Sequence, residues 1–170
     1  MNIFQGVAAS SGVAFGNAFV IPKSERPQIE KRKISTSEIE DSWFKFEKAR
    51  SETISYFESL ITPKDSDQNE IFTTYVLMLS DPDFLSQVKL FFTESLFNIE
   101  YVLSSKVNEF ADKLRISGDP YLTERASDIV DVYEKVLDKL TKYIPFSFDH
   151  IPPDSILVAE SLSPSDSYIL

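Results

Sequence analysis

The chain has 170 residues, 42% of them hydrophobic, which is enough to bury a core in one domain or two small ones. Its formal net charge of −10 argues against nucleic acid or anionic membrane as a partner, and either favours a basic protein or serves solubility alone. Because cysteine is absent and neither a membrane-length apolar run nor a signal-peptide pattern occurs, we expect a cytoplasmic protein without disulfides or a cysteine-based zinc site.

The first part of the chain has the composition of a small sheet. Residues 7–21 are mostly small and apolar and are interrupted by Gly12 and Gly16, which predicts two short strands joined by a tight turn. The polar residues 24–33, which include Pro27, then predict an exposed connection into a second domain.

Five helices are predicted next. Ser35 and Glu38 have the spacing of a capping box, and an apolar stripe continues from there to about residue 61. Four further helices are predicted over about residues 69–80, 82–92, 98–114 and 120–143, with caps or breaks at Asp81-Pro82, Asn98 and Gly118-Asp119-Pro120.

Sheet signals return at the end of the chain. Residues 155–159 form a short apolar run, and Ser163-Pro164-Ser165-Asp166 has the pattern of a helix start. The predicted fold is therefore mostly α, of the α+β class, with a helical domain at 25–145 inserted into an incomplete α/β domain made of 1–24 and 146–170.

Three segments in this order resemble a known family. They are Gly6 to Ala18 (GVAASSGVAFGNA), Tyr121 to Asp128 (YLTERASD) and Ile156 to Asp166 (ILVAESLSPSD). The chain resembles the N-terminal part of enzyme I of the bacterial sugar phosphotransferase system, the phosphoenolpyruvate-protein phosphotransferase. The resemblance implies a phosphohistidine α/β domain interrupted by a helical domain that binds HPr, the small histidine-containing phosphocarrier protein.

The resemblance also implies a docking surface for HPr. Its residues form an apolar centre with an acidic rim and one arginine: Ile71, Leu77, Met78, Phe84, Leu114, Asp67, Asp81, Asp83 and Arg125. Taken by themselves, the apolar members have the spacing of an ordinary helix–helix core, Asp81 has the position of a helix cap, and Arg125 could form a surface ion pair.

No catalytic or metal-binding residue is assigned. The family carries its phosphorylated histidine in a Gly-Gly-x-x-Ser-His segment beyond the strand at 156–159, and this chain contains no such segment. Its one histidine, His150, lies in a connecting segment and is interpreted as an incidental surface residue. We therefore expect a fragment that binds HPr without turnover, while phosphoenolpyruvate and magnesium are used by a C-terminal domain of the full-length enzyme.

Two other functions stay open. The chain could be a complete, non-catalytic helical adaptor for a basic partner, or the mobile domain of another phosphoenolpyruvate-utilising enzyme with a different acceptor. We expect the fragment to be a monomer.

Overall fold

The computed structural model describes residues 7, 9–22, 26–62, 66–160 and 162–170, and it describes no side chains at 66–68, 164, 168 and 169. The chain forms two compact units, a helical unit from 25–145 and 162–170 and a smaller unit from 1–24 and 146–161. The described elements of the smaller unit are two strands and one short turn, and we call it the α/β unit after the predicted domain. Mostly helical architecture with a small sheet was predicted and is confirmed. No helix among the described residues is both long enough and apolar enough to cross a membrane.

The α/β unit contains a two-stranded parallel sheet. Strand β1 (Asn17–Val20) pairs with β2 (Ser155–Val158) in a register that joins the first residue of each strand and the last of each. The described residues that precede β1 form no strand, so the predicted hairpin at 7–21 is wrong. The reason is that β1 finds its hydrogen-bonding partner near the far end of the chain, a pairing that local composition does not reveal.

A close backbone approach fixes the start of this sheet. A Cβ atom at Gly16 would collide with the backbone carbonyl oxygen of Asp154, a residue that itself has a left-handed φ of 60°. Glycine is therefore required at position 16 by contact rather than by backbone angle.

Five long helices build the helical unit. They are α1 (Ile39–Leu60), α2 (Ser66–Leu79), α3 (Pro82–Ser95), α4 (Ile99–Ile116) and α5 (Pro120–Thr141). Local signals set several of their starts: the backbone N–H of Ser35 donates to the Glu38 carboxylate at 2.9 Å, as the capping box predicts, and a turn at Thr36–Glu38 leads into α1. Asp81 caps α3 as expected, since its Oδ1 accepts the backbone N–H of Asp83 at 2.8 Å.

The core of the helical unit is rich in aromatic side chains. Phe57 of α1 is fully buried, and its ring centroid lies 5.9 Å from that of Phe72 and 5.2 Å from that of Tyr75, both on α2. Val88 and Phe92 of α3 are also fully buried. These side chains of α1, α2 and α3 therefore belong to one packed cluster.

The segment 26–34 crosses the helices before α1 begins. The Arg26 guanidinium pairs with Asp138 at 2.8 Å and with Glu134 at 2.7 Å, both on α5. Further along, the backbone N–H of Asn98 donates to the Arg32 carbonyl at 2.8 Å, and the Asn98 side chain accepts the Arg32 N–H at 2.9 Å. The predicted exposed connection is therefore fastened to the helices at both ends.

Residues 162–170 differ from the predicted division of the chain. We expected them in the α/β domain with the rest of 146–170, but they group with the helical unit and form helix α6 (Pro164–Ile169). Two contacts to α5 explain this: the Asp131 carboxylate accepts the Ser165 N–H at 3.0 Å, and Lys135 pairs with Asp166 at 2.9 Å.

Candidate docking surface

The connection between α2 and α3, which we call the α2–α3 corner and define as residues 77–84, presents an apolar side chain beside two carboxylates. Leu77 is 65% exposed. Asp81 and Asp83 are also exposed. The Asp81 side chain caps α3 by accepting backbone N–H groups, and its charge is nevertheless exposed at the surface.

The other predicted apolar residues are more buried than Leu77. Ile71, Met78 and Leu114 are half-buried and pack against the core, and Phe84 is 8% exposed. Leu77 is therefore the main apolar contribution of this predicted set to the surface. The remaining predicted residue, Asp67, lies in the first turn of α2 with its side chain outside the described part of the structure.

Aromatic contacts join the corner to α4 and α5. The Phe84 ring centroid lies 5.8 Å from that of Phe110 on α4 and 4.9 Å from that of Tyr133 on α5. Phe110 is 39% exposed and precedes Leu114 by one helical turn. Phe110 extends the apolar surface next to the corner, and the sequence reasoning missed it although its i,i+4 spacing to Leu114 was visible.

Arg125 lies in the second turn of α5 and contacts its own helix. Its Nη1 pairs with the Asp128 carboxylate at 2.9 Å, and its guanidinium lies 5.0 Å from the centroid of the exposed Tyr121 ring. Burial raises the pKa of Asp128, and the hydrogen bond and charge of Arg125 oppose that rise. Tyr121 is a second residue, after Phe110, that was not predicted as part of the docking surface. Its i,i+4 spacing to Arg125 was the sequence signal that could have identified it.

The chemistry of this surface is that of binding rather than group transfer. Exposed apolar groups supply contact area and exposed carboxylates attract a basic partner. In the part of the chain that the structure describes, no three His, Asp or Glu side chains are grouped to hold a metal ion. His150 is exposed and ends a short turn, Phe148–His150, in the α/β unit.

A family model confirms the class of protein that this fold suggests. The model described as "PEP-utilising enzyme, N-terminal" matches residues 5–125. The chain therefore belongs to the phosphoenolpyruvate-utilising enzymes and corresponds to their N-terminal region.

Two relatives of this chain are phosphoenolpyruvate-protein phosphotransferases. The phosphoenolpyruvate-protein phosphotransferase of Priestia megaterium is 32% identical over 167 residues, which cover 96% of this chain and 29% of that protein. The enzyme of the same name from Bacillus subtilis (strain 168) is 32% identical over 169 residues, covering 98% of this chain and 30% of that protein. The chain thus spans about three tenths of the length of these curated relatives.

A solved structure gives the same result for the fold. The NMR solution structure of an Enzyme I protein (nEIt) superimposes with a TM-score of 0.81 at 28% sequence identity, covering 97% of this chain and 68% of that chain. The resemblance to the N-terminal part of enzyme I that the sequence indicated is confirmed.

Proposed function

We propose that this chain is the carrier-docking part of a phosphoenolpyruvate-protein phosphotransferase and that HPr binds its helical unit. The binding surface consists of the α2–α3 corner, the exposed side of α4 near Phe110 and Leu114, and the start of α5 at Arg125. The observation that carries this proposal is the exposure of Leu77 beside the two surface carboxylates of Asp81 and Asp83.

The physical roles of the two kinds of side chain differ. Fully burying a leucine side chain stabilises an interface by about 1.5–3 kcal/mol, so Leu77 supplies affinity. Asp81, Asp83 and the net charge of −10 accelerate the approach of a basic carrier and orient it. Such a surface suits a carrier that must bind and leave within one catalytic cycle.

The proposed activity belongs to the full-length enzyme. That enzyme would take a phosphoryl group from phosphoenolpyruvate onto a histidine and pass it to HPr in the cytoplasm, as a component of sugar transport. Transfer between two histidines depends on close approach and alignment of donor and acceptor, so a docking surface contributes directly to the rate. We expect this chain alone to bind HPr without turning over.

Magnesium does not fit the described residues of this chain, because they contain no cluster of three acidic or histidine side chains. We therefore propose that any magnesium, together with phosphoenolpyruvate, is bound in the part of the full-length enzyme that this chain does not cover.

A pair of exposed leucines tests the proposal. Leu77 is 65% exposed at the corner, and Leu90 is 59% exposed further along α3. We expect Leu77→Asp to raise the dissociation constant for purified HPr, measured by calorimetry, about tenfold or more. The substitution removes apolar contact area and buries a charge in the interface. Leu90→Asp serves as the control and should change the affinity less than about twofold.

Two results would contradict the proposed function. One is the absence of binding by the unmodified chain at HPr concentrations up to about 1 mM. The other is an equal loss of affinity in the Leu77 and Leu90 variants, because it would place the binding surface elsewhere or attribute the loss to misfolding.

A further inference from the structure

The α2–α3 corner includes the C-terminal end of α2, where backbone carbonyls lack intrahelical partners. Ser80 closes part of this end, since its N–H donates to the carbonyls of Val76 and Leu77 at 3.1 Å each. The next bond is longer, because the Asp81 nitrogen lies 3.4 Å from the Met78 carbonyl oxygen that it donates to. Side chains from two other helices complete the hydrogen bonding of the Met78 and Leu79 carbonyls, the last two of α2.

Arg50 of α1 supplies one of these partners. Its Nη1 donates to the Leu79 carbonyl at 3.0 Å, while its Nη2 pairs with Glu47 at 2.6 Å. The Arg50 side chain is only 18% exposed, so its charge is held next to the carbonyl end of α2. A cation at this position also stabilises the helix dipole.

Tyr133 of α5 supplies the other partner and contacts both sides of the corner. Its hydroxyl donates to the Met78 carbonyl at 3.0 Å, and its ring centroid lies 4.9 Å from that of Phe84 in the first turn of α3. Tyr133 is 2% exposed, and burial together with the nearby Asp81 charge raises its pKa. The phenol therefore stays protonated and remains a donor throughout the neutral pH range.

We propose that Tyr133 and Arg50 are positioning residues that hold the α2–α3 corner in the shape to which the carrier binds, without touching the carrier themselves. This inference rests on the proposed docking function. The carbonyls of Met78 and Leu79 lie between the exposed Leu77 and Ser80, the residue before the capping Asp81, so fixing them restricts the direction of both Leu77 and Asp81. A corner that is already ordered spares the complex the entropy loss of ordering it on binding.

The variant Tyr133→Phe tests the hydroxyl alone, because phenylalanine keeps the ring against Phe84. We expect HPr to bind about three- to tenfold more weakly, because the complex must then order a corner that this hydrogen bond no longer holds in the free chain. Amide hydrogen exchange should accelerate at residues 77–84 and stay unchanged in α4. Arg50→Lys keeps the charge but loses the planar fork that reaches Leu79 and Glu47 together, and it should behave in the same way.

Tyr101→Phe is the matched control, since it removes a tyrosine hydroxyl on α4, where the ring packs against Phe97 rather than at the corner. Its affinity for HPr and its exchange at 77–84 should equal those of the unmodified chain. The midpoint of denaturant unfolding, measured for all variants, separates positioning from a general loss of stability.

The possible outcomes distinguish failure of the positioning role from failure of the docking function. If the unmodified chain binds HPr and Tyr133→Phe binds equally well, the positioning role is wrong and the docking function stands. If affinity falls while exchange at 77–84 is unchanged, the positioning role is also wrong, because the corner would still be ordered. If the unmodified chain does not bind HPr, the docking function itself fails, and the positioning role fails with it.

Discussion

The two units of this chain differ sharply in how their apolar residues are buried. In the helical unit, aromatic and aliphatic side chains from all five long helices form one core, with Phe46, Phe57 and Phe72 completely removed from solvent. In the α/β unit, two strands of four residues pair with each other, and Val20 on one of them is 68% exposed. The stability of the chain therefore resides mainly in the helical unit, where the proposed docking surface also lies.

This difference bears on the surroundings of the proposed docking surface. Exposed groups such as Leu77 and Asp81 lie next to the buried Leu79 and Phe84, and Phe84 packs against Tyr133 of α5. The two strands contribute no described residue to the core of the helical unit, whereas parallel sheets are normally covered on both faces.

The largest expected effect on stability comes from truncating a buried side chain in the helical core. Phe57→Ala should lower the free energy of unfolding by about 3–5 kcal/mol, because it removes a fully buried ring that contacts Phe72 and Tyr75. Val20→Ala in β1 should change it by less than about 0.5 kcal/mol. Urea unfolding measures both, and similar losses for the two variants would remove the contrast between the units.

The segment 26–34 provides a smaller effect within the helical unit. Arg26→Ala should cost about 2 kcal/mol, since it leaves the Asp138 carboxylate, only 7% exposed, without its cation. Arg115→Ala breaks a similar pair with Asp112, but that pair is exposed, so the change should stay below about 0.5 kcal/mol. Equal unfolding midpoints for these two variants would show that burial of Asp138 does not determine the strength of the contact.

A third change should act in the α/β unit alone. Gly16→Ala forces a Cβ atom against the Asp154 carbonyl and should disturb the pairing of β1 with β2. We expect altered amide chemical shifts for residues 17–20 and 155–158 and almost no change in the unfolding midpoint of the helices. A large drop in that midpoint would mean that the helices depend on the sheet.

The smallest effect concerns a surface carboxylate of α4. Hydrogen bonds from Lys106 and Lys113 lower the pKa of Glu109 to about 2, below its value in the unfolded chain. The stability that Glu109 contributes is therefore complete above pH 4.5 and is lost as the pH falls towards 2. Because the group is exposed, Glu109→Gln should change stability by less than about 0.5 kcal/mol, and only above pH 2. An NMR titration that gives Glu109 an ordinary pKa would refute the lowered value.

The helices were predictable from the sequence because their signals are local. The capping pair Ser35 and Glu38 and the Asp81-Pro82 start lie within a few residues of the boundaries they set, and the structure confirms both. The strand partner of β1 was not predictable in this way, because Asn17 and Ser155 are far apart in sequence and no local pattern records their pairing.

The docking residues were only partly predictable for a related reason. Helical spacing alone does not distinguish the exposed Leu77 from the half-buried Met78 or the buried Phe84, since all three are apolar and close in sequence. Their exposure is decided by which neighbouring helix covers them, and the contacts of Phe84 with Phe110 and Tyr133 appear only in the folded chain.

The most direct test of the docking proposal is an NMR titration of the isotope-labelled chain with unlabelled HPr, repeated at raised salt. The account predicts fast-exchange shifts concentrated at residues 77–84, Phe110, Leu114 and Arg125, almost none at 17–20 and 155–158, and weaker binding at high salt. Shifts concentrated in the two strands, or no shifts with HPr at about 1 mM, would contradict it.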